Sequence, residues 1–246
     1  MTIGESHMLI DIVSHCYAAE LPHYAAALSY QLSSLILHKP KTCDVQATVC
    51  YVWNDARTKE ALRFFAQSVN IRSIPMNHLE ELGRRAIGRN MAAKWTEADI
   101  VWFGDVDQCY QEGCLDRLAA LEWPGNAAMI FPRNIMIHRD WTTGDEDMGK
   151  LLSGPAVAGI DESRFVPKSY NRAIGGVQIV QGDFAREHGY AVSEKHMQPA
   201  VKPFGDFRDD LDYRGFCHKM GGVVGMELPG MFRIRHTRTT YQPDKV

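Results

Sequence analysis

The chain has 246 residues, of which 45% are hydrophobic and 23% are charged, and its formal net charge is −3. This composition is ordinary for a soluble globular protein, and it lacks the basic excess that favours nucleic-acid binding, so we expect no nucleic-acid partner. The length allows one large α/β domain or two small ones. No apolar run approaches the ~20 residues of a transmembrane helix, so we expect no transmembrane segment.

The cysteine pattern bears on the compartment. The six cysteines include no C-x-x-C pair, which favours reduced thiols in a cytoplasmic protein over a disulfide framework. The first residues, MTIGESHMLIDIV, show no basic segment followed by an apolar stretch, so we expect no signal peptide.

Strands and helices alternate in the first part of the chain. Apolar runs predict strands at Met8–Val13, Val45–Trp53 and Ile71–Ile74, and helical spacing predicts helices over 21–38 and Arg57–Ser68. This alternation is typical of a parallel sheet covered by helices. Ligands of such sheets bind at the carboxyl ends of the strands.

Polar residues follow the first two predicted strands. Ser14 and Tyr17 lie in the segment after the first strand, and Asp55 closes the second. At the carboxyl edge of a parallel sheet these side chains would form a pocket for a nucleotide base and ribose. Ordinary connecting turns are the alternative interpretation.

Two aspartates follow a further buried strand, Ile100–Phe103. In extended chain Asp105 and Asp107 point to the same side, because side chains repeat every second residue. Two converging carboxylates repel each other and call for a cation, and oxygen ligands suit Mg²⁺ or Mn²⁺. The segment resembles the DxD motif of GT-A glycosyltransferases, which implies a metal that bridges the enzyme to the diphosphate of a nucleotide-sugar.

A helix is predicted over 83–98, directly before the aspartates. Its apolar stripe consists of Ile87, Met91, Trp95 and Ala98. Arg85 and Arg89 are four residues apart and share another face. The R-N-x-A-A ending resembles the helix before DxD in GT-A enzymes, which implies that Arg89 and Asn90 face the nucleotide-sugar. A guanidinium fork matches a diphosphate; a solvated basic face is the alternative.

The middle of the chain is less regular. A helix is predicted over Glu112–Leu121 and a strand over Ala127–Ile137, with Pro132 favouring an edge or a kink. Residues 138–170 are interpreted as an irregular segment, either a mobile lid or an acceptor-binding loop. Within it, Trp141 and Tyr170 could stack on a sugar or simply pack.

Paired glycines begin the next region. Gly175 and Gly176 precede a strand, and their small size would allow the backbone to approach a donor sugar closely. Asp183 is predicted to cap the following helix and Gly189 to end it.

An acidic cluster follows, in a helix predicted to be capped by Asp206. Gly-Gly-Val, a strand, a helix, an acidic cluster and then Leu211 and Arg214 together resemble the C-terminal half of inverting galactosyltransferase-like enzymes, in which the cluster supplies the catalytic base. The family pattern is Glu-Asp-Asp, whereas this chain has an arginine in the first position.

The resemblance implies Asp209 as the base and Asp210 as the residue that orients the acceptor hydroxyl, and a shift of one residue would exchange the two. Acidic residues in the first turn of a helix are also stabilised by its dipole, so a structural role for both is the alternative.

The last predicted strand covers Met231–Thr239. Phe232, Ile234 and His236 would share one face. By resemblance to GT-A enzymes, His236 would be a third metal ligand and Arg238 a diphosphate contact. A histidine packed in the core is the alternative, although imidazole with two carboxylates suits Mn²⁺.

The alternation of elements predicts an α/β fold, and the resemblance implies that it is of the GT-A (Rossmann-like) type, with a mixed, mainly parallel sheet flanked by helices and a single domain over residues 1–246. Residues 1–110 would bind the nucleotide-sugar, and residues 111–246 would bind the acceptor and carry catalysis. The expected reaction is metal-dependent transfer of a hexose, from a UDP-linked donor to an acceptor hydroxyl, with inversion.

Two alternatives remain open at this point. The first is a nucleotidyltransferase, although that class usually carries a glycine-rich loop after the first strand and 14–17 contain no glycine. The second is a non-catalytic module that binds a sugar or a nucleotide.

Overall fold

The protein is described by a computed structural model that covers residues 7–201 and 208–236. The strands in chain order are β1 (Met8–His15), β2 (Cys43–Val52), β3 (Asn70–Met76), β4 (Ile100–Gly104), β5 (Gln108–Tyr110), β6 (Met129–Pro132), β7 (Asn134–His138), β8 (Phe165–Ser169), β9 (Val177–Gln181), β10 (Val223–Met226) and β11 (Met231–Arg233). The helices are α1 (His23–Leu37), α2 (Ala56–Phe65), α3 (Leu79–Gly83), α4 (Arg85–Trp95), α5 (Cys114–Ala119), α6 (Trp141–Gly149), α7 (Gly182–His188) and α8 (Asp209–Met220).

A seven-stranded sheet forms the centre of the molecule, in the order β10-β6-β9-β4-β1-β2-β3. Its pairs are parallel except where β9 runs antiparallel to β4 and β6. Helices flank this sheet, so the predicted mixed, mainly parallel α/β architecture is confirmed. Parallel strands of this kind are buried on both faces, which explains why β4 is apolar and buried along its whole length.

The core has one layer on each side of the sheet, because successive side chains of a strand point in opposite directions. Ile10 and Trp102 pack in one layer, whereas Val13, Val101 and Phe103 pack in the other. β1 and β4 are parallel neighbours, so their carboxyl ends lie next to each other. The two core layers pack against both faces of these strands.

A smaller four-stranded sheet, in the order β5-β11-β7-β8, adjoins the carboxyl end of β4. The predicted strand over Ala127–Ile137 is in fact two strands, since β6 belongs to the large sheet and β7 to the small one. Pro132 is the last residue of β6, and because it has no N–H to donate it suits the point where the chain changes sheets.

The expectation of an irregular segment over 138–170 is wrong in part. Residues Trp141–Gly149 form α6, and Phe165–Ser169 form β8. Asp140 caps α6 by accepting a hydrogen bond from the Thr143 amide at 2.8 Å. The two threonines and the glycine after Trp141 suggested a loop, and the cap outweighs their low helix propensity.

Three local predictions need correction. Trp95 does not belong to the apolar stripe, since it is 59% exposed. Asp183 does not cap α7, whose cap residue Gln181 makes no side-chain hydrogen bond. The last strand ends at Arg233, earlier than predicted. The predicted cap Asp206 lies outside the described residues.

The six cysteines are all free and buried, as the sequence suggested. Within residues 7–201 and 208–236, no helix is both long and apolar enough to cross a membrane.

Candidate active site at the end of strand β4

Asp105 and Asp107 meet the expectation that they follow a buried strand. Asp105 comes directly after β4 and is partly exposed, and Asp107 is buried at 6% exposure just before β5. Backbone hydrogen bonds hold both residues: the Gln31 amide group donates to the Asp105 carbonyl oxygen at 3.0 Å, and the Ile234 amide donates to the Asp107 carbonyl oxygen at 2.8 Å.

Two arginines of α4 contact Asp105. Arg85 Nη1 donates to Asp105 Oδ1 at 3.1 Å, and Arg89 Nη2 lies 3.7 Å from the same oxygen. Burial acts to lower the pKa of Arg85, but Asp105, together with Tyr17, Tyr190 and Asp210, raises this pKa above its ordinary value. Arg89 is only 1% exposed, so the solvated basic face considered from the sequence is excluded for this residue.

A third arginine, Arg233 of β11, joins the two carboxylates. Its Nε donates to Asp107 Oδ2 at 3.0 Å, and its Nη2 donates to Asp105 Oδ2 at 3.2 Å. The negative charge of Asp107 raises the pKa of Arg233 above its ordinary value, desolvation opposes this, and Asp105 adds to it. The cation that the paired carboxylates require is thus supplied by an arginine that the sequence argument did not identify.

The donor set can be tested for a divalent cation. His236 Nε2 lies 3.9 Å from Asp107 Oδ2, and Asp107 Oδ1 is buried without a hydrogen-bond partner in the described part of the chain. Two carboxylates and an imidazole with an orphaned oxygen are chemically suited to Mn²⁺ or Mg²⁺. Among the described residues, however, no group of three such side chains is arranged to hold a metal, and Arg233 donates to both carboxylates.

The paired glycines lie next to Asp105. A Cβ added to Gly176 would overlap with Asp105 Oδ2, and one added to Gly175 would lie 2.8 Å from Asp210 Oδ2. The carbonyl oxygen of Gly176 accepts a hydrogen bond from Gln108 Nε2. A larger residue at either position would therefore displace a neighbouring side chain, which is Asp210 at Gly175 and Asp105 at Gly176.

The two acidic residues at the start of α8 have different surroundings. Asp209 is 6% exposed, and its Oδ1 accepts a hydrogen bond from Arg84 at 3.1 Å and lies 3.8 Å from His196 Nε2. Asp210 is partly exposed, and its backbone oxygen accepts from Gln178 Nε2 at 2.9 Å. Asp210, rather than Asp209, therefore points toward Gly175.

A cavity of about 260 Å³ opens beside Asp107. Its lining residues are Asp107, Ile137, Trp141, Lys168, Tyr170, Arg233, Arg235 and His236. The two aromatic residues singled out from the sequence are thus brought together, although they are 29 positions apart. Arg235 lies over the Trp141 ring, 4.4 Å from its centroid.

Ser14 and Tyr17 lie close to this region. Ser14 Oγ donates to Gln31 Oε1 at 3.0 Å, and Gln31 in turn holds the Asp105 backbone. Tyr17 packs edge-on against Tyr24, which packs against His236 with ring centroids 5.4 Å apart. Ser14 is therefore linked to Asp105 through Gln31, and Tyr17 is linked to His236 through Tyr24.

Asp55 and Asn90 have structural partners. Asp55 caps α2, since its Oδ1 accepts from the Thr58 amide and its Oδ2 from the Thr58 hydroxyl. Asn90 Oδ1 accepts from the Tyr190 and Ala191 amides at 2.9 and 3.1 Å. These contacts hold the Asp55 carboxylate at α2 and the Asn90 amide oxygen at the Tyr190 and Ala191 amides, and none of them is to Asp105 or Asp107. Arg238 lies outside the described residues.

Three residues of the site were missed from the sequence. Arg233 was assigned to the face of a strand opposite His236, and Gln31 and Gln108 gave no signal at all. Each reaches the site through tertiary contacts: Gln31 from α1, Gln108 from β5, and Arg233 because β11 pairs with β5. The acidic pair alone could have suggested a search for a compensating arginine.

No protein-family model matches the chain, and no curated protein matches its sequence. The fold, in contrast, is shared with solved structures. S. aureus TarS 1-349 superposes with a TM-score of 0.55 at 13% identity, covering 92% of this chain and 60% of that one. The mannosyltransferase PcManGT of Pyrobaculum calidifontis, in complex with GDP-Man and Mn²⁺, gives 0.55 at 12% identity, covering 96% and 59%.

The chain thus spans about 60% of the length of these two solved structures. Similarity at this level of identity establishes the fold and leaves the reaction to be argued from the site. The chain has the fold of the GT-A glycosyltransferases.

Proposed function

We propose that this protein is a metal-dependent glycosyltransferase that moves a hexose from a UDP-linked donor to an acceptor hydroxyl with inversion. The observation that carries the proposal is that two acidic side chains lie against adjacent glycines near the end of β4. Asp105 lies against Gly176, and Asp210 lies against Gly175. A donor sugar placed there would have a cation site on one side and a carboxylate on the other.

The diphosphate is proposed to bind beside Asp105 and Asp107. The two carboxylates are contacted by three guanidiniums, those of Arg85, Arg89 and Arg233. This group of five side chains has a net charge of about +1, which favours an anion. Asp105, Asp107 and His236 would hold Mn²⁺ or Mg²⁺, which when bound supplies positive charge that makes the diphosphate a better leaving group. PcManGT, which was solved with GDP-Man and Mn²⁺, supports this arrangement by its shared fold.

The general base is proposed to be Asp210. The resemblance implied Asp209 for this role and left open that the two residues exchange roles. Asp209 is engaged by Arg84 and is buried, so it positions the start of α8. As the acceptor oxygen attacks the anomeric carbon, the bond from that carbon to the diphosphate oxygen breaks and the hydroxyl proton passes to the Asp210 carboxylate. Attack opposite the leaving group inverts the configuration.

The cavity beside Asp107 is proposed to receive a sugar. Trp141 is 47% exposed and Tyr170 is partly exposed, so both rings present faces on which a pyranose could stack.

A cytoplasmic location is also proposed, and it is supported by the six free thiols. A single domain over residues 1–246 is proposed as well.

The test is a thermal-shift panel of UDP- and GDP-linked hexoses, with and without Mn²⁺, followed by product analysis. A donor that binds the native state must raise the Tm, and we expect slow, metal-dependent hydrolysis of that donor. An anomeric-proton NMR time course then reports the stereochemistry, and net retention would remove the base role of Asp210. Release of pyrophosphate would instead identify a nucleotidyltransferase, and binding without turnover would identify a non-catalytic module.

A further inference from the structure

The side chain of Arg233 contacts both of the aspartates that would hold a metal, Asp105 and Asp107. Arg233 pairs with Gln108 in the antiparallel β5–β11 ladder, and the next residue, Ile234, donates its amide to the Asp107 carbonyl oxygen. These backbone contacts fix the start of the side chain beside the aspartates. Its position is therefore built into the fold.

One guanidinium neutralises one oxygen of each carboxylate. Arg233 Nε and Nη2 lie 3.0 and 3.2 Å from Asp107 Oδ2 and Asp105 Oδ2, while Arg85 donates to the remaining oxygen of Asp105. A divalent cation on the same oxygens would share them with a like charge in a largely buried site, where charge repulsion is strong. Arg233 and the metal therefore exclude each other at Asp105 Oδ2 and Asp107 Oδ2.

Arg233 also borders the cavity beside Asp107. Arg233 lines this cavity together with Lys168 and Arg235, and neither of these two forms an ion pair within the described residues. An anion is the complement of such a surface, and the planar arginine fork matches a phosphate group as well as it matches a carboxylate.

We propose that Arg233 is a displaceable internal cation: it occupies Asp105 and Asp107 in the free protein and transfers to a phosphate of the nucleoside diphosphate when the metal takes its place. This inference rests on the proposed function in taking Asp105 and Asp107 as residues that would hold a metal and in naming the anion as a diphosphate. It follows that metal alone binds weakly, and that metal and nucleoside diphosphate strengthen each other's binding through Arg233.

The experiment is a Mn²⁺ titration of the full chain, followed by the EPR signal of free Mn²⁺, with and without UDP. The variants are Arg233→Met and, as a matched control that removes a positive charge from the same cavity without freeing the carboxylates, Arg235→Met. We expect Arg233→Met to bind Mn²⁺ in the absence of UDP at least ~10-fold more tightly than the wild type, a size typical of coupling between sites. We expect Arg235→Met to stay within about 3-fold of the wild type.

Equal Mn²⁺ affinity of the wild type and Arg233→Met without UDP would overturn the proposal. Equal strengthening in both arginine variants would also overturn it, because general electrostatics would then suffice. Arg233→Lys serves if the methionine variant does not fold, which circular dichroism reports: a lysine has no fork to span two carboxylates, so it too should bind Mn²⁺ more tightly than the wild type. Since no turnover is needed, failure of the glycosyltransferase proposal leaves this readout intact, and an unchanged metal affinity in an active enzyme refutes Arg233 exchange alone.

Discussion

Arg84 donates from Nη1 to Asp209 Oδ1 at 3.1 Å, joining two residues that are 125 positions apart in the chain. The contact ties the residue before α4 to the first turn of α8. The contact engages the carboxylate of Asp209, one of the two candidate bases from the sequence. The other candidate, Asp210, lies against Gly175.

The first prediction separates these two acids. Asp210→Asn should lower kcat by ~10²–10⁴-fold, the usual loss on removing a general base, with little change in stability. Asp209→Asn should instead lower the free energy of unfolding by about 1–3 kcal/mol, because it removes the charge from a buried carboxylate that accepts a hydrogen bond from Arg84. Steady-state kinetics and urea unfolding of both variants provide the comparison, and a larger kcat loss in a fully stable Asp209→Asn would reverse the assignment.

The second prediction concerns Gly176. Gly176→Ala places a methyl group against the Asp105 carboxylate and should reduce kcat/KM by ~10–100-fold, since small displacements of reacting groups are costly. Gly215→Ala is the matched control, because a Cβ there meets no atom within 4 Å. That helix-interior substitution should raise the free energy of unfolding by about 1 kcal/mol, and equal kinetics in the two variants would refute the close approach at Gly176.

The third prediction concerns the buried Arg89. Its Nη1 donates to the Tyr190 hydroxyl at 2.8 Å and its Nη2 donates to the Gly104 carbonyl oxygen at 3.1 Å. Arg89→Lys cannot make both bonds and should lower the free energy of unfolding by about 1–3 kcal/mol. Tyr190→Phe removes one of the two and should lower it by about 1 kcal/mol. Denaturant titrations would contradict this if the lysine variant were as stable as the wild type.

The fourth prediction is a loss of stability in acid. Burial lowers the pKa of His15 well below its ordinary value of 6.5, and burial lowers the pKa of His23 to about 4. Below pH ~6.5 the unfolded chain binds protons that the folded chain does not, so stability rises with pH through this window and falls on acidification. Each such histidine contributes up to ~1.4 kcal/mol per pH unit.

Urea unfolding of the wild type and His15→Gln between pH 7.5 and 5 provides the measurement for this effect. The substitution should flatten the pH dependence by one proton, which is the part due to the buried His15 ring. An unchanged slope would show that His15 titrates normally in the fold.

The fifth prediction concerns the cavity beside Asp107. Trp141→Ala should raise the KM for the acceptor or donor sugar by ~10-fold, a loss of about 1.4 kcal/mol of binding. Trp95→Ala removes an exposed ring from α4, which does not line this cavity, and it should leave both KM values unchanged. Identical kinetic effects of the two substitutions would argue against sugar stacking on Trp141.

The sequence by itself determined the alternation of strands and helices, the buried strand before Asp105 and Asp107, and the strand that follows the glycine pair. These features follow from local periodicity, which depends on neighbours along the chain. The same reasoning failed at α6: the capped helix beginning at Trp141 was interpreted as a loop, because threonine and glycine have low helix propensity.

Only the tertiary structure decided which residues complete the site. Arg233, Gln31 and Gln108 reach the aspartates from distant parts of the chain, through strand pairing and helix packing that leave no local pattern in the sequence. Only the fold, likewise, turns Asp209 to Arg84 and Asp210 to Gly175, since both carry the same side chain in the same helical turn. Local periodicity fixes which face of an element is buried, whereas the charge balance of a site depends on which elements meet there.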